Sequence, residues 1–307
     1  MKILVELPTW LGDCIMATPA IDNLLVAYRD CDLVFVGSSL SISLMKDHPL
    51  CKNTFEMPKA MKDLFCLSRE IGKVDLFVSF RYSIRSFFLG VLVTKRIHLY
   101  KKKKFKSRHQ VEKYNDFICN LTKNSRPPGH LKIYKSKNYI HHNKPLIGIN
   151  PGASYGSAKC WPPKKYSSLL GSISNDFDIV IFGGKNEISL ASLIEKDLNR
   201  KGIKNFTNLA GKTSINELYS WISNLHIFIT GDSGPMHIAS ELAIPTVAIF
   251  GPTREHETSQ WMNQKSLIIK KELECQPCMK RICPLGHHNC MSLISAKEVE
   301  EAVRKLS

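Results

Sequence analysis

Strand-like apolar runs alternate with helical patterns along almost the whole chain. Lys2–Pro8 and Val74–Phe80 have the continuous hydrophobicity of buried strands. Gly12–Arg29 and His109–Leu121 instead have apolar residues at helical spacing. This alternation predicts an α/β fold with a doubly wound, mainly parallel sheet.

The alternation stops between residues 127 and 143 and then restarts. RPPGH is followed there by a stretch rich in Lys, Asn and His and poor in apolar residues, which is typical of a linker. Pro145–Asn150 begins the pattern again. We therefore expect two α/β domains, residues 1–142 and 143–307, with a cleft between them.

The chain closes on an amphipathic pattern over Ser295–Leu306. Ser295 and Glu298 have the spacing of a capping box, which predicts where this helix begins. We expect this last helix to belong to the second domain and to pack back towards the first.

Composition indicates a globular protein with a substantial core. The chain has 307 residues, of which 43% are hydrophobic and 23% charged. Its densest apolar run, Phe87–Val93, is far shorter than the roughly 18 residues of a membrane span. The N-terminus lacks the features of a secretory signal, so we expect a cytoplasmic protein. The 10 cysteines are then expected to be reduced thiols, the scattered ones acting as small apolar fillers.

Positive charge is concentrated in one stretch of a chain whose net charge is +16. That stretch has eight basic residues and no acidic one: Lys95, Arg96, Lys101, Lys102, Lys103, Lys104, Lys106 and Arg108. A solvated loop is one interpretation. A surface for a polyanion, either nucleic acid or a phosphate-rich membrane and its glycolipids, is the other. No nucleic-acid recognition module is visible, and Tyr100 and Phe105 are the stretch's only stacking aromatics, so we expect no nucleic-acid partner.

ITGDSGPMHIASELAIPTVAIFGPT is the junction most suggestive of a ligand. An apolar strand runs into Gly-Asp-Ser-Gly and then a helix, whose first turn presents backbone N–H groups suited to a phosphate. Gly231 and Gly234 permit close approach of a ligand. Asp232 and Ser233 are also ordinary helix caps, and His237 on the first turn is either structural or part of the anion site.

Two more junctions in the same half have this form. After Leu146–Asn150 comes the loop PGASYGSAKCWP, whose one cation, Lys159, either neutralises a phosphate or is an ordinary exposed lysine. In FGGKNE, Glu187 is placed to accept hydrogen bonds from ribose hydroxyls. Three such junctions in one domain predict a nucleoside-diphosphate site at the carboxyl ends of the strands.

In the N-terminal half, LPTWLGDCIMATPA places Asp13 just after a strand, at the start of a helix. Its carboxylate is either a helix-start residue favoured by the dipole or a general base.

WLGDCIMATPAI, NPGASYGSAKCWP, FGGKNE and TGDSGPMHIASELAIPTVAIFGPT together resemble the ADP-heptose:lipopolysaccharide heptosyltransferases, glycosyltransferase family 9. CQPCMKRICPLGHHNCM is most similar to the branch that adds the second core heptose. The resemblance implies a GT-B fold of two Rossmann-like doubly wound domains facing a central cleft. It implies inverting transfer of L-glycero-D-manno-heptose from ADP-L-glycero-β-D-manno-heptose to heptosyl-Kdo2-lipid A. Heptosyltransferase I, a transferase for another sugar and a protein heptosyltransferase with a cysteine-bound metal remain alternatives.

The same resemblance implies roles for individual residues. Asp13 is the catalytic base, Lys159 balances the charge of the diphosphate, and Glu187 holds the ribose. The donor-binding residues are Ser154, Tyr155, Lys159, Glu187, Asp232, Ser233, Gly234 and His237.

The acceptor is implied to be a lipid A–Kdo core that bears phosphates and carboxylates at the inner membrane. The candidates to bind it are Arg81, Arg85, Lys95, Arg96, Lys101 to Lys106 and His109. We accordingly expect a monomer that is peripheral on the cytoplasmic face of the inner membrane.

Cys275, Cys278, Cys283 and Cys290 form the pattern C-x2-C-x4-C-x6-C. Four thiols at this density suit a tetrahedral zinc or iron site, and related protein heptosyltransferases carry such an iron site. The spacing is not that of a two-knuckle zinc site, and packed, reduced thiols are the other interpretation. Because no DxD-like acidic pair is placed to hold a cation on the diphosphate, we expect transfer without a metal.

Overall fold

The computed structural model describes residues 1–105 and 107–307, so that Lys106 of the basic stretch lies outside the described residues. The chain divides into two compact units, Met1–Lys135 and Ser136–Ser307. The second unit begins earlier than residue 143. Asn138 N donates to Ser220 Oγ at 3.0 Å and Ile140 N to Asn224 Oδ1 at 3.1 Å, which ties the end of the linker to that unit.

The first unit is built on a parallel sheet of strand order β3-β2-β1-β4-β5 in the described residues. Its strands are β1 (Lys2–Glu6), β2 (Asp32–Gly37), β3 (Cys51–Glu56), β4 (Leu76–Ser79) and β5 (Ile97–Leu99). Its helices are α1 (Leu11–Met16), α2 (Thr18–Ala27), α3 (Ser39–Met45), α4 (Asp63–Ile71), α5 (Ile84–Val93) and α6 (Gln110–Thr122).

One helix of the sequence interpretation is two helices in the structure. Gly12–Arg29 is interrupted at Ala17, which ends α1 and precedes α2. Pro19 is the physical reason. A proline disfavours helical conformation in the residue before it and is tolerated at the first turn of a new helix. The break leaves α1 as a short helix that carries Asp13 directly after β1.

The second unit is built on a parallel sheet of order β11-β10-β9-β6-β7-β8 in the part of the chain that the structure describes. Its strands are β6 (Leu146–Asn150), β7 (Asp178–Ile181), β8 (Phe206–Asn208), β9 (Ile227–Gly231), β10 (Thr246–Ile249) and β11 (Ser266–Ile269). Its helices are α7 (Pro163–Ile173), α8 (Ile188–Arg200), α9 (Ile215–Ser223), α10 (Gly234–Glu241), α11 (Glu255–Thr258), α12 (Asn289–Ser292) and α13 (Ala296–Leu306). Short 3-10 turns cover Ser157–Lys159 and Lys185–Glu187.

Strand order in the second unit reverses at β6. From β6 the chain proceeds outward through β7 to β8, then returns to place β9 on the other side of β6 and continues to β10 and β11. The loops that follow β6 and β9 therefore diverge at the carboxyl ends of two adjacent strands. In open α/β sheets this switch point is where ligands bind.

The core of the second unit lies between its sheet and the helices α7, α8 and α13. Ile147, Ile149 and Ile229 from the strands meet Leu169 and Val303 from the helices, all of them buried. The final helix has the predicted capping box, in which Ser295 Oγ accepts from Glu298 N and Glu298 accepts from Ser295 N. It packs against α7, β10 and β11.

The cysteines are all free, as the reduced-thiol interpretation requires. Cys14 and Cys31 are buried fillers, but Cys66 on α4 is exposed, so the filler interpretation is wrong for that residue.

Among the described residues, none of the helices combines the length and the hydropathy that crossing a membrane requires.

Candidate active site

An ion pair joins the two loops at the switch point of the second unit. Lys159 Nζ lies 2.6 Å from Asp232 Oδ2 and 3.1 Å from the carbonyl oxygen of the same residue. The two side chains are only 11% and 8% exposed. The interpretation of Lys159 as an ordinary exposed lysine is therefore wrong. An ammonium group has three N–H donors, and Asp232 accepts two of them, which leaves one for a ligand.

The helix after β9 begins without a side-chain cap. Ser233 occupies the N-cap position of α10, but its hydroxyl makes no capping hydrogen bond. It lies instead 2.9 Å from Thr230 Oγ1 and accepts from Asn150 Nδ2 at 3.4 Å. The capping interpretation of Asp232 and Ser233 is therefore wrong. The first turn of α10 retains its N–H groups for an anion, and the helix dipole favours one there.

Small residues allow these loops to approach one another. A Cβ on Gly231 would lie 3.2 Å from the carbonyl oxygen of Lys159, tighter than ordinary contact. His237 lies on the first turn of α10 and is only 2% exposed. Its role in a donor site stays a prediction.

Glu187 stands over the start of the loop after β6. Its carboxylate accepts hydrogen bonds from the backbone N–H of Gly184 and, at 3.4 Å, from Ser154 Oγ. A Cβ on Gly152 would lie 2.2 Å from the Glu187 Cγ, so only glycine fits there. The structure thus brings Ser154 and Glu187 together as two of the predicted donor residues.

The loop after β6 is held by the cysteine-rich segment near the C-terminus. Tyr155 donates its hydroxyl to Met279 O at 2.7 Å, and its ring lies 4.7 Å from Lys159 Nζ. Ala158 N donates to Arg281 O at 3.0 Å. His288 Nε2 lies 2.8 Å from Ala158 O. These contacts fix the conformation that directs Lys159 towards Asp232.

The cluster cysteines line one small cavity. Cys275, Cys278, Cys283 and Cys290 surround a volume of about 20 Å³. Burial, together with the other three thiols, raises the pKa of Cys290 to about 11. Backbone N–H groups, that of His288 first, lower the pKa of Cys283. Within residues 1–105 and 107–307, no three His, Cys, Asp or Glu side chains are grouped so that they would hold a metal ion.

In the first unit, Asp13 lies on α1 with its carboxylate in contact with α6. Tyr114 donates its hydroxyl to Asp13 Oδ1 at 3.3 Å. Burial raises the pKa of the Tyr114 hydroxyl well above its usual range, and the adjacent Asp13 charge raises it further. The tyrosine therefore stays protonated and remains a donor that orients the carboxylate. Reasoning from the sequence did not single out Tyr114, since tyrosine at a helical spacing predicts only packing.

A buried carboxylate is the other site feature that sequence reasoning did not identify. Glu6, at the end of β1, is fully buried and accepts from Ser79 Oγ at 2.6 Å. Burial raises its pKa, while Ser79, Ser86 and the nearby arginines oppose that effect. Arg81 NH1 lies 3.5 Å from Glu6 Oε1, so this predicted acceptor residue is partly engaged inside its own unit. A glutamate within an otherwise apolar strand was the available signal.

The remaining acceptor candidates lie in different surroundings. Arg85 donates to the carbonyl oxygens of Pro58 and Lys59, at 3.1 and 3.3 Å. Lys95, Arg96 and Lys101 are exposed. His109 is buried at the N-cap of α6, where its Nδ1 accepts from Val111 N. No single cluster of these side chains is formed by the contacts in the structure.

The family model for glycosyltransferase family 9 (heptosyltransferase) matches residues 75–289. The chain belongs to this family. Lipooligosaccharide heptosyltransferase 2 of Campylobacter jejuni (serotype O:6, strain 81116) is 39% identical, with 100% of this chain and 99% of the relative covered. The Haemophilus influenzae protein of the same name is 24% identical over 100% of this chain and 99% of its own length. The resemblance found in the motifs is thereby confirmed.

Solved structures confirm the fold of this heptosyltransferase. The Escherichia coli ADP-heptose lipopolysaccharide heptosyltransferase II superimposes with a TM-score of 0.81 at 22% identity, covering 100% of this chain and 98% of that chain. An E. coli heptosyltransferase solved with ADP gives a TM-score of 0.77 at 14% identity, with both chains covered fully. The predicted α/β, GT-B class is therefore correct.

We expect the Lys159–Asp232 pair to stabilise the second unit and its single loss to be costly. Lys159→Met leaves the Asp232 carboxylate buried without its counter-charge and is expected to reduce the free energy of unfolding by about 3 kcal/mol. The double variant Lys159→Met/Asp232→Asn removes that uncompensated charge and is expected to lose less. Urea denaturation followed by circular dichroism measures both.

Arg304→Met is the matched control, because Arg304 pairs with Glu300 at 2.7 Å on the exposed face of α13. Loss of an exposed pair is expected to change stability by less than about 1 kcal/mol. A Lys159→Met variant no less stable than this control would contradict the assignment of a structural charge pair at the switch point.

Proposed function

We propose that this family 9 enzyme is an inverting transferase that moves L-glycero-D-manno-heptose from ADP-L-glycero-β-D-manno-heptose to heptosyl-Kdo2-lipid A. The observation that carries the proposal is the Lys159–Asp232 pair beside the uncapped N-terminus of α10, at the switch point of a parallel sheet. The full-length similarity to proteins named lipooligosaccharide heptosyltransferase 2 supports the choice of the second heptose.

The donor diphosphate is proposed to bind against the first turn of α10. The N–H groups there and the third donor of Lys159 supply hydrogen bonds to phosphate oxygens. Glu187, fixed by Gly184 N and Ser154, is proposed to accept from the ribose hydroxyls. Negative charge grows on the diphosphate as ADP departs, so donors already in place stabilise the transition state more than the ground state. This electrostatic stabilisation is proposed as the largest contribution to the rate.

Asp13 is proposed to be the general base. The acceptor hydroxyl oxygen forms a bond to the anomeric carbon of heptose, the bond from that carbon to the β-phosphate oxygen breaks, and the hydroxyl proton passes to the Asp13 carboxylate. ADP leaves with the bonding electron pair, and the anomeric configuration inverts. Tyr114 holds the carboxylate from one side through its hydroxyl, 3.3 Å away.

The acceptor is proposed to be held by basic side chains of the first unit. Lys95, Arg96 and Lys101 are exposed and free to meet phosphates or carboxylates of a glycolipid, and Arg85 is half-buried nearby in sequence. The proposed place of action is the cytoplasmic face of the inner membrane, with the enzyme acting as a peripheral monomer.

A transfer assay with two acceptors tests the proposal. The full chain is offered ADP-heptose with Kdo2-lipid A and, separately, with heptosyl-Kdo2-lipid A. We expect product only from the acceptor that already carries the first heptose. Equal or preferred use of Kdo2-lipid A would identify a heptosyltransferase I activity instead, and no transfer to either acceptor would overturn the proposal.

Asp13→Asn is expected to reduce kcat about 100- to 10,000-fold, since an amide does not accept the acceptor's proton. Donor affinity is expected to stay unchanged, because the proposed donor contacts lie in the second unit. Steady-state kinetics and calorimetry with ADP measure the two effects. Asp63→Asn, at an exposed position on α4, is the control. Turnover of Asp13→Asn near that of the control would remove Asp13 from the mechanism.

Transfer is expected to need no metal, because Lys159 and the α10 amides meet the diphosphate charge. EDTA is therefore expected to leave the transfer rate unchanged, and elemental analysis is expected to find no stoichiometric zinc or iron. Metal that is present in the wild type and in a Cys66→Ser control, yet absent from Cys278→Ser/Cys283→Ser, would establish the cysteine-bound alternative.

A further inference from the structure

Helix α5 in the first unit directs large apolar side chains into solvent. Ile84, Phe87 and Val91 follow one another at helical spacing and are 80%, 55% and 53% exposed. The opposite side of the helix packs on the sheet through Leu89 and Val93, both fully buried. The fold is therefore complete without the outer stripe, which covers no other described element.

The apolar surface continues onto helix α4. Phe65 is 50% exposed, and its ring makes an edge contact with Phe88 of α5, with centroids 5.6 Å apart. Met61, just before α4, and Tyr82, just before α5, are exposed as well. We name this surface the α4–α5 face; it consists of Met61, Phe65, Tyr82, Ile84, Phe87 and Val91. Contiguous apolar surfaces of this kind mark sites that meet a protein or a membrane.

Positive charge surrounds the α4–α5 face. Residues 57–104 contain 12 Lys and Arg against three Asp and Glu. Lys101 Nζ lies 4.7 Å from the centroid of the Tyr82 ring, which places a cation at the edge of the face itself. Lys59 and Lys62 are exposed beside α4, and Lys102–Lys104 are exposed in the turn that follows Lys101.

This combination selects the occupant. A second copy of the chain would present the same cationic surface to itself, and like charges oppose that pairing. An anionic bilayer satisfies both features, since apolar side chains enter the interface while lysines and arginines meet the headgroups. We propose that the α4–α5 face docks the enzyme on anionic phospholipid membranes by insertion of Ile84 and Phe87.

Docking of this kind does not depend on the transfer reaction, so the two proposals fail separately. The face contains none of the side chains proposed to bind donor or acceptor, although it lies beside several of the basic ones. Loss of docking is therefore expected to leave transfer to a detergent-dispersed acceptor intact.

Vesicle sedimentation with the full chain tests the proposal. Vesicles of phosphatidylcholine alone are compared with vesicles that also contain phosphatidylglycerol. We expect the wild type to sediment with the anionic vesicles and to be released in part by raised salt. Ile84→Ser/Phe87→Ser is expected to weaken binding to the anionic vesicles about tenfold or more for each side chain removed from the interface.

Leu193→Ser/Ile282→Ser is the matched control, because these apolar side chains are 52% and 73% exposed elsewhere, in the second unit. The control is expected to bind vesicles as the wild type does, and thermal melts of both variants are expected to match the wild type. Lys103→Gln/Lys104→Gln is expected to weaken anionic binding and to reduce its salt dependence.

Three outcomes would overturn the proposal. The first is a wild type that fails to sediment with anionic vesicles. The second is an Ile84→Ser/Phe87→Ser variant that sediments as well as the control, which would make the binding electrostatic alone. The third is a concentration-dependent dimer, seen by analytical ultracentrifugation without lipid and lost in the same variant, which would assign the face to a second copy of the chain.

Discussion

The arrangement of the donor half depends on one buried charge pair. Lys159 comes from the loop after β6 and Asp232 from the loop after β9, and 2.6 Å separates their charged atoms. The pair closes the switch point from above while the parallel pairing of β6 with β9 closes it from below. A pair this buried requires close geometry to offset desolvation. Gly231 supplies that closeness, since a side chain there would press on the Lys159 carbonyl.

The pair's geometry is fixed in turn by a segment distant in sequence. The loop that carries Lys159 has little regular structure of its own beyond the 3-10 turn Ser157–Lys159. Ala158 is held from both sides, through its N–H by Arg281 and through its carbonyl by His288. Trp161, buried at the end of the loop, donates Nε1 to Ile294 at 3.0 Å. The cysteine-rich segment thus has a structural task in this family 9 fold whether or not its thiols bind a metal.

The two units use their strand ends for different chemistry. In the second unit, a cation and open helix amides occur at the ends of β6 and β9, an environment suited to an anion. In the first unit, β1 ends in the buried Glu6 and leads to Asp13, so carboxylates lie beyond its carboxyl end. Tyr114 keeps its proton beside Asp13 and can only donate to it. Similar doubly wound sheets therefore provide an electrophilic environment in one unit and a basic one in the other.

By itself, the sequence determined most of the central strands and the longer helices, because a buried parallel strand must be apolar and an amphipathic helix must repeat its apolar residues. It missed β3, whose CKNTFE sequence is polar because it lies at a sheet edge, and it ran α1 and α2 together across Pro19. The motifs located Lys159, Asp232 and Asp13 individually. Only the tertiary structure decided that Asp232 binds Lys159 rather than a helix end, that Tyr114 holds Asp13, and that Ile84 faces solvent. Those outcomes depend on contacts between residues far apart in the chain, which local periodicity does not encode.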